Sequence, residues 1–185
     1  MPLRPSFLFR YGQVLMLLKR RARALEVFQS VARDDPRHRQ AWNCVGVLLA
    51  QREAYPQAID AFRHALALDP ADAAAHFNVA FMLQRAGRHA DAVPVFERAL
   101  ELDARIDRAW YGLGLSLAKL GRLEDAALRF AEAARLKPSN AYAGYQLAGV
   151  WHRLGQRDKL NAEYQRIKGL DPQVAERIRT EFGIG

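Results

Sequence analysis

"DRAWYGLGLSLAKLGRLEDAALRFAEAARLKPSN", Asp107 to Asn140, reads as two helices joined by a tight turn. Apolar side chains keep helical spacing up to Leu120 and again from Leu123 to Leu136. Gly121 suits the left-handed residue that ends the first helix, Asp107 suits its N-cap, and Pro138 ends the second. Alanines and small glycines at fixed places let the two helices approach closely, and Phe130 fills the space between them.

A step of 34 residues carries this unit along the chain. Ala24, Ala58, Ala92 and Ala126 fall in one column, with Leu160 in the fifth copy. Phe28, Phe62, Phe96 and Phe130 form another, continued by Tyr164. Pro36, Pro70, Pro138 and Pro172 mark the unit ends, with Ala104 out of line. Gly12, Gly46 and Gly114 recur in register, replaced by Ala80 and Ala148. Trp42 and Trp110 share a column with His76, whose expected role is therefore packing. Pro56 lies near a helix start, where proline is cheap, whereas Pro94 lies deeper and predicts a kink or a lost hydrogen bond around Ala90.

The pattern resembles the tetratricopeptide repeat, a helix–turn–helix unit of the same length. Trp110, Leu113, Gly114, Ala126, Phe130 and Pro138 stand where the family's signature places its residues, and Leu117 replaces the usual tyrosine. The resemblance implies an all-α fold, a right-handed superhelical solenoid of stacked antiparallel helix pairs. Its five repeats would span 5–38, 39–72, 73–106, 107–140 and 141–174 of a single domain, 1–185. A capping helix at about 173–182 would follow, with Val174, Ile178 and Phe182 on one side.

Half of the 185 residues are hydrophobic, enough for a substantial core. Cys44 is alone, so an internal disulfide is excluded. The apolar start of the chain is interrupted by Arg10, is too short to span a bilayer and lacks a cleavage site, so no transmembrane segment and a cytoplasmic location are expected. Net charge is +8, of which residues 1–38 carry +5 and residues 107–185 carry +4, against −1 between them. The densest run, Lys19 to Arg23, is a weak footprint for nucleic acid or an anionic membrane, and a solvated turn between helices accounts for it. Nucleic acid is accordingly not the expected partner.

No catalytic constellation is legible. His38, His64, His76, His89 and His152 are scattered without metal-ligand spacing or a thiol partner, and there is no phosphate loop or nucleophile elbow. The expectation is a non-enzymatic chain without cofactor or metal.

In proteins similar to this one, the first helix of each repeat lines a concave groove. Carried over by position, the groove would hold Asn43 in the second repeat and Phe77, Asn78, Phe81 and Arg85 in the third. Arg108, Tyr111 and Lys119 would follow in the fourth, and Tyr142, Tyr145, His152 and Arg153 in the fifth; the first offers Phe9 and Arg10. Aromatic rings beside cations and amides, with no Asp or Glu at those positions, suit a peptide or protein segment carrying carboxylates and apolar anchors. The family's two-carboxylate clamp is incomplete, because Asn43 stands where lysine belongs and Val47 and Gly112 break two further places.

One column departs at the N-terminal repeat. Ala41, Ala75, Ala109 and Ala143 hold the third position in the other copies, where a small residue permits close contact with the preceding repeat; the first copy has Phe7. Tyr11, Val14 and Leu18 continue its line. Phe7, Val14 and Leu18 therefore read as a self-association surface giving a homo-oligomer, or as a face covered by Met1 to Pro5. The expected function is a scaffold that binds a peptide or protein segment. The alternatives are a structural scaffold assembling through its terminal repeats and a regulatory module of a larger enzyme or secretion or assembly complex.

Overall fold

The computed structural model describes residues 5–184. Among them are eleven helices and no strand: α1 (Pro5–Leu17), α2 (Arg21–Asp34), α3 (Arg39–Gln51), α4 (Tyr55–Leu68), α5 (Ala73–Arg85), α6 (His89–Leu102), α7 (Asp107–Lys119), α8 (Leu123–Leu136), α9 (Ala141–Arg153), α10 (Arg157–Lys168) and α11 (Pro172–Phe182). The fold is all-α, with consecutive helices packed as antiparallel pairs. Met1 to Arg4, invoked above as a cover for Phe7, lie outside the described residues.

The chain divides into two compact units, Met1–Arg88 and His89–Gly185. In the first, α1 to α5 pack each on the next. Its core gathers Phe9, Leu15, Leu25, Phe28, Val31, Val45 and Leu48. In the second, α6 to α11 pack in the same manner, and α11 also lies against α9. There Leu160, Tyr164, Ile167, Val174 and Ile178 close the core around Ala148.

The phenylalanine column explains the glycine column. Phe28, Phe62, Phe96 and Phe130 are completely or almost completely buried. A Cβ on Gly46 would lie 2.7 Å from Phe62 Cε1, and one on Gly114 would lie 2.8 Å from Phe130 Cε1. The ring sits on bare backbone, so the pairing of large and smallest residue sets the spacing of α3 on α4 and of α7 on α8.

The tryptophan column has a polar role as well. Trp42 Nε1 donates to the Pro36 carbonyl at 3.0 Å and Trp110 Nε1 to the Ala104 carbonyl at 2.8 Å. His76 Nε2 lies 3.0 Å from the Pro70 carbonyl, the same offset of six residues. Histidine thus keeps the tryptophan contact, its Nε2–H tautomer donating to the turn before the helix.

One local expectation changes and another narrows to one of its alternatives. The N-cap of α7 is Ile106, and Asp107 is the first helical residue, where its carboxylate faces the positive helix end. The cap belongs to the preceding column, where His38, Asp72 and Asn140 accept bonds from the amides of Ala41, Ala75 and Tyr142. The helix α6 runs unbroken through Pro94, so the cost there reduces to the amide proton that Ala90 cannot receive. The left-handed turn residue is Gly121 as expected (φ 80°), and Gly87 and Gly155 repeat it, but Lys19 and Glu53 hold it in the first two repeats at φ 57° and 59°.

Candidate peptide-binding site

In the first unit, α4 packs on both α3 and α5, and the three helices share one pocket. Val47, Gln51, Tyr55, Asn78, Phe81 and Arg85 line a pocket of about 280 Å³, with Phe62 and Met82 at its floor. Its lining is mostly apolar because Phe81 of α5 and Val47 of α3 join Phe62 and Met82, while Gln51, Asn78 and Arg85 supply the polar groups. Phe77 extends the apolar wall: its ring lies 5.9 Å from that of Phe81 and nearly parallel to it, 6° between planes. Phe81 stays 37% exposed, whereas Val79, Ala80 and Leu83 on the same helix are buried. The two stripes of α5 therefore do separate work, one in the core and one on the surface.

Arg85 is held in place. Its Nη2 donates to the Tyr55 hydroxyl, and Glu53 Oε1 lies 3.7 Å away. Sequence reasoning missed both partners, since they come from the turn and start of α4 and not from the groove columns. The signal was faint: only the helix-pair geometry brings a residue 30 positions earlier onto Arg85. Asn43, on α3, is half-buried and lies outside the pocket lining, and its buried Oδ1 accepts no hydrogen bond among the described residues. Phe9 belongs to the core, 5.4 Å from Phe28 and 4.6 Å from His38, and is not groove surface.

The second unit carries the remaining residues on α7 and α9. Tyr142 is exposed, as are Arg108 and Lys119. Tyr111 is half-buried, its ring 5.7 Å from Phe130. Burial pushes its phenol above the ordinary range, with a smaller opposing effect from a hydrogen bond to Gln146. Arg153 Nη1 donates to the Ala118 carbonyl at 3.5 Å.

Tyr145 and His152 meet the chain itself. The Tyr145 hydroxyl donates to Glu181 Oε2 at 2.5 Å, and the Arg177 guanidinium lies 4.8 Å over its ring. Phe182 sits 5.7 Å from the Tyr145 ring and 5.3 Å from that of His152. A Cβ on Gly149 would lie 3.2 Å from Phe182 Cζ. In repeat register Tyr145 corresponds to Phe77 and Gly149 to Phe81. The capping helix thus seats an aromatic ring and a carboxylate on the columns that form the open wall of the first unit's pocket.

Comparison with known proteins agrees with this architecture. The family model of the tetratricopeptide repeat matches residues 12–73 and 83–141. A MamA double mutant of RS-1 superposes with a TM-score of 0.86 at 22% identity, covering 92% of this chain and 97% of that one. MamA 41-end from Desulfovibrio magneticus RS-1 gives 0.82 at 21% identity, with 96% and 97% covered. YrrB, described as a TPR protein with an unusual peptide-binding site, gives 0.81 at 22% identity, with 94% and 90% covered. Among curated protein sequences none matches.

Proposed function

This chain belongs to the tetratricopeptide repeat family, a fold that serves protein–protein interaction, and we propose that it is a non-enzymatic scaffold binding a peptide or protein segment on the first-helix columns. The observation that carries the reading is the seat of α11 on α9. There the chain supplies its own amphipathic helix, with the Glu181 carboxylate on Tyr145 and Phe182 over Gly149. The matching columns of α5, Phe77 and Phe81, stand beside an open pocket with Arg85 at its rim. An apolar side chain fills such a pocket while a neighbouring carboxylate meets the guanidinium, the combination that concentrates binding energy in a few residues. The peptide-binding site of YrrB is a precedent on a similar fold.

The test is selection of a random dodecapeptide display library on the immobilised protein, followed by fluorescence anisotropy of the enriched peptides. Enriched peptides should share an aromatic or aliphatic anchor and a carboxylate, and should bind Phe81→Glu and Arg85→Glu at least about tenfold more weakly. Absence of enrichment, or equal affinity for both variants, refutes the reading.

A further inference from the structure

The helix α1 is apolar on two opposite faces. Phe9, Gly12 and Leu15 are buried in the core, whereas Phe7, Tyr11 and Val14, continued by Leu18 in the turn after the helix, form a second stripe that is solvent-exposed. Phe7 is 59% exposed, Leu18 62% and Leu17 83%. The corresponding places elsewhere are treated differently. Ala41, Ala75, Ala109 and Ala143 share the column of Phe7 and are buried. Gln51, Arg85, Lys119 and Arg153 share the column of Leu17 and are polar. An exposed apolar stripe of this size is a surface awaiting a partner.

The charges around the stripe identify that partner. Arg10 lies three residues after Phe7 and four before Val14, on the same helix face. Lys19 and Arg20 form the turn directly after Leu18, tied back by hydrogen bonds to the Met16 and Leu15 carbonyls, and Arg21 and Arg23 open α2. All five cations are exposed, and residues 5–23 contain no Asp or Glu. Four arginines elsewhere are paired within one turn: Arg98 with Glu101, Arg122 with Asp125, Arg135 with Glu132, Arg179 with Glu176. None of these five cations joins an ion pair among the described residues.

A second copy of this chain fits the stripe poorly on electrostatic grounds. Stripe against stripe opposes five cations to five, and stripe against α11 sets apolar side chains on the exposed Glu176, Arg177, Thr180 and Glu181. A ridge of aliphatic and aromatic side chains edged by unpaired cations matches the acyl–headgroup boundary of an anionic bilayer. We propose that α1 and the Lys19–Arg23 run form a peripheral docking surface for anionic lipid. Phe7, Tyr11, Val14, Leu17 and Leu18 enter the boundary while the cations meet lipid phosphates. The surface is independent of the pocket between α3 and α5, and it leaves that pocket's ligand to be tested separately.

Co-sedimentation of the full chain with phosphatidylglycerol–phosphatidylcholine vesicles and with pure phosphatidylcholine vesicles tests this. Binding should require the anionic lipid. It should fall about 30-fold in Arg20→Gln/Arg21→Gln, and by at least about tenfold in Leu17→Glu/Leu18→Glu, with helix content and Tm retained because all four side chains are exposed. Failure of the wild type to bind anionic vesicles overturns the proposal, as does equal binding to both vesicle types or unchanged binding by either variant. A wild-type dimer in sedimentation equilibrium that Leu17→Glu/Leu18→Glu makes monomeric, without vesicle binding, assigns the stripe to a second copy instead.

Discussion

The Tyr55 hydroxyl accepts a 2.7 Å hydrogen bond from Arg85 Nη2, and the Arg85 guanidinium lies 5.4 Å over the Tyr55 ring. Two attachments hold a long side chain at the pocket rim, and on the proposed function they would lower the entropy lost when a peptide binds. Glu53, 3.7 Å from the same guanidinium, would compete with the carboxylate of a peptide bound as proposed. Glu53→Gln should therefore tighten binding of an acidic peptide by up to about fivefold, the range of an exposed ion pair. Tyr55→Phe, which frees the guanidinium to wander, should weaken it. Isothermal titration of a selected peptide separates the two effects.

The aromatic residues of the third repeat should divide by role. Phe96 is fully buried, so Phe96→Ala should cost about 3–5 kcal/mol of stability in urea unfolding. Phe81 is partly exposed and touches Phe77, so Phe81→Ala should cost about 1 kcal/mol while reducing peptide affinity more. Equal stability losses would place Phe81 in the core.

Glycines should fail for two different reasons. Gly46→Ala pushes a methyl against the Phe62 ring, and should destabilise by about 1–3 kcal/mol although alanine favours helix. Gly121→Ala meets open space but must hold φ near 80°, and should cost about 1–2 kcal/mol. Denaturant midpoints of the two variants, with Phe62→Leu added to the first, distinguish them: the smaller residue should rescue Gly46→Ala only.

The Tyr145 phenol is held above the ordinary tyrosine range, first by its hydrogen bond to Glu181 and then by burial. A raised value means that the protonated form is the one the fold prefers. Its contribution is complete below the ordinary tyrosine value of about 10 and is lost as pH rises through the elevated one. Protection factors of α11 amides, which correct for the base catalysis of exchange itself, should be unaffected by Tyr145 ionisation near neutrality and fall in alkali. Tyr145→Phe should lose about 1 kcal/mol at neutral pH, and its difference from wild type should vanish at high pH.

Much of the fold was legible because the repeat writes the same packing rule at each step. A phenylalanine, a facing glycine or alanine, and an alanine at the neighbouring helix recur in register, and the helices obey that register. The left-handed turn was legible only where glycine marks it, since Lys19 and Glu53 adopt the same φ without a compositional sign. The cap of α7 was misplaced by one residue because Asp107 is a good capping residue and Ile106 is not, yet the backbone of the column determines the cap.

The candidate site was less legible, because column position assigns a side chain to a surface without saying what else reaches that surface. Phe77 and Tyr145 occupy one column, and the sequence alone treats them alike. In the structure Phe77 stacks on Phe81 beside an open pocket, while Tyr145 is held by Glu181, Arg177 and Phe182 of a helix some 30 residues further on.

The amino-acid sequence by itself determined the helix pairs, their period and the aromatic–glycine core, because those follow from local spacing and side-chain volume. Only the tertiary structure decided which aromatic columns remain open, which cations lack a counter-charge and which residues share the pocket. Those depend on distances between side chains far apart in the chain, which no local pattern encodes.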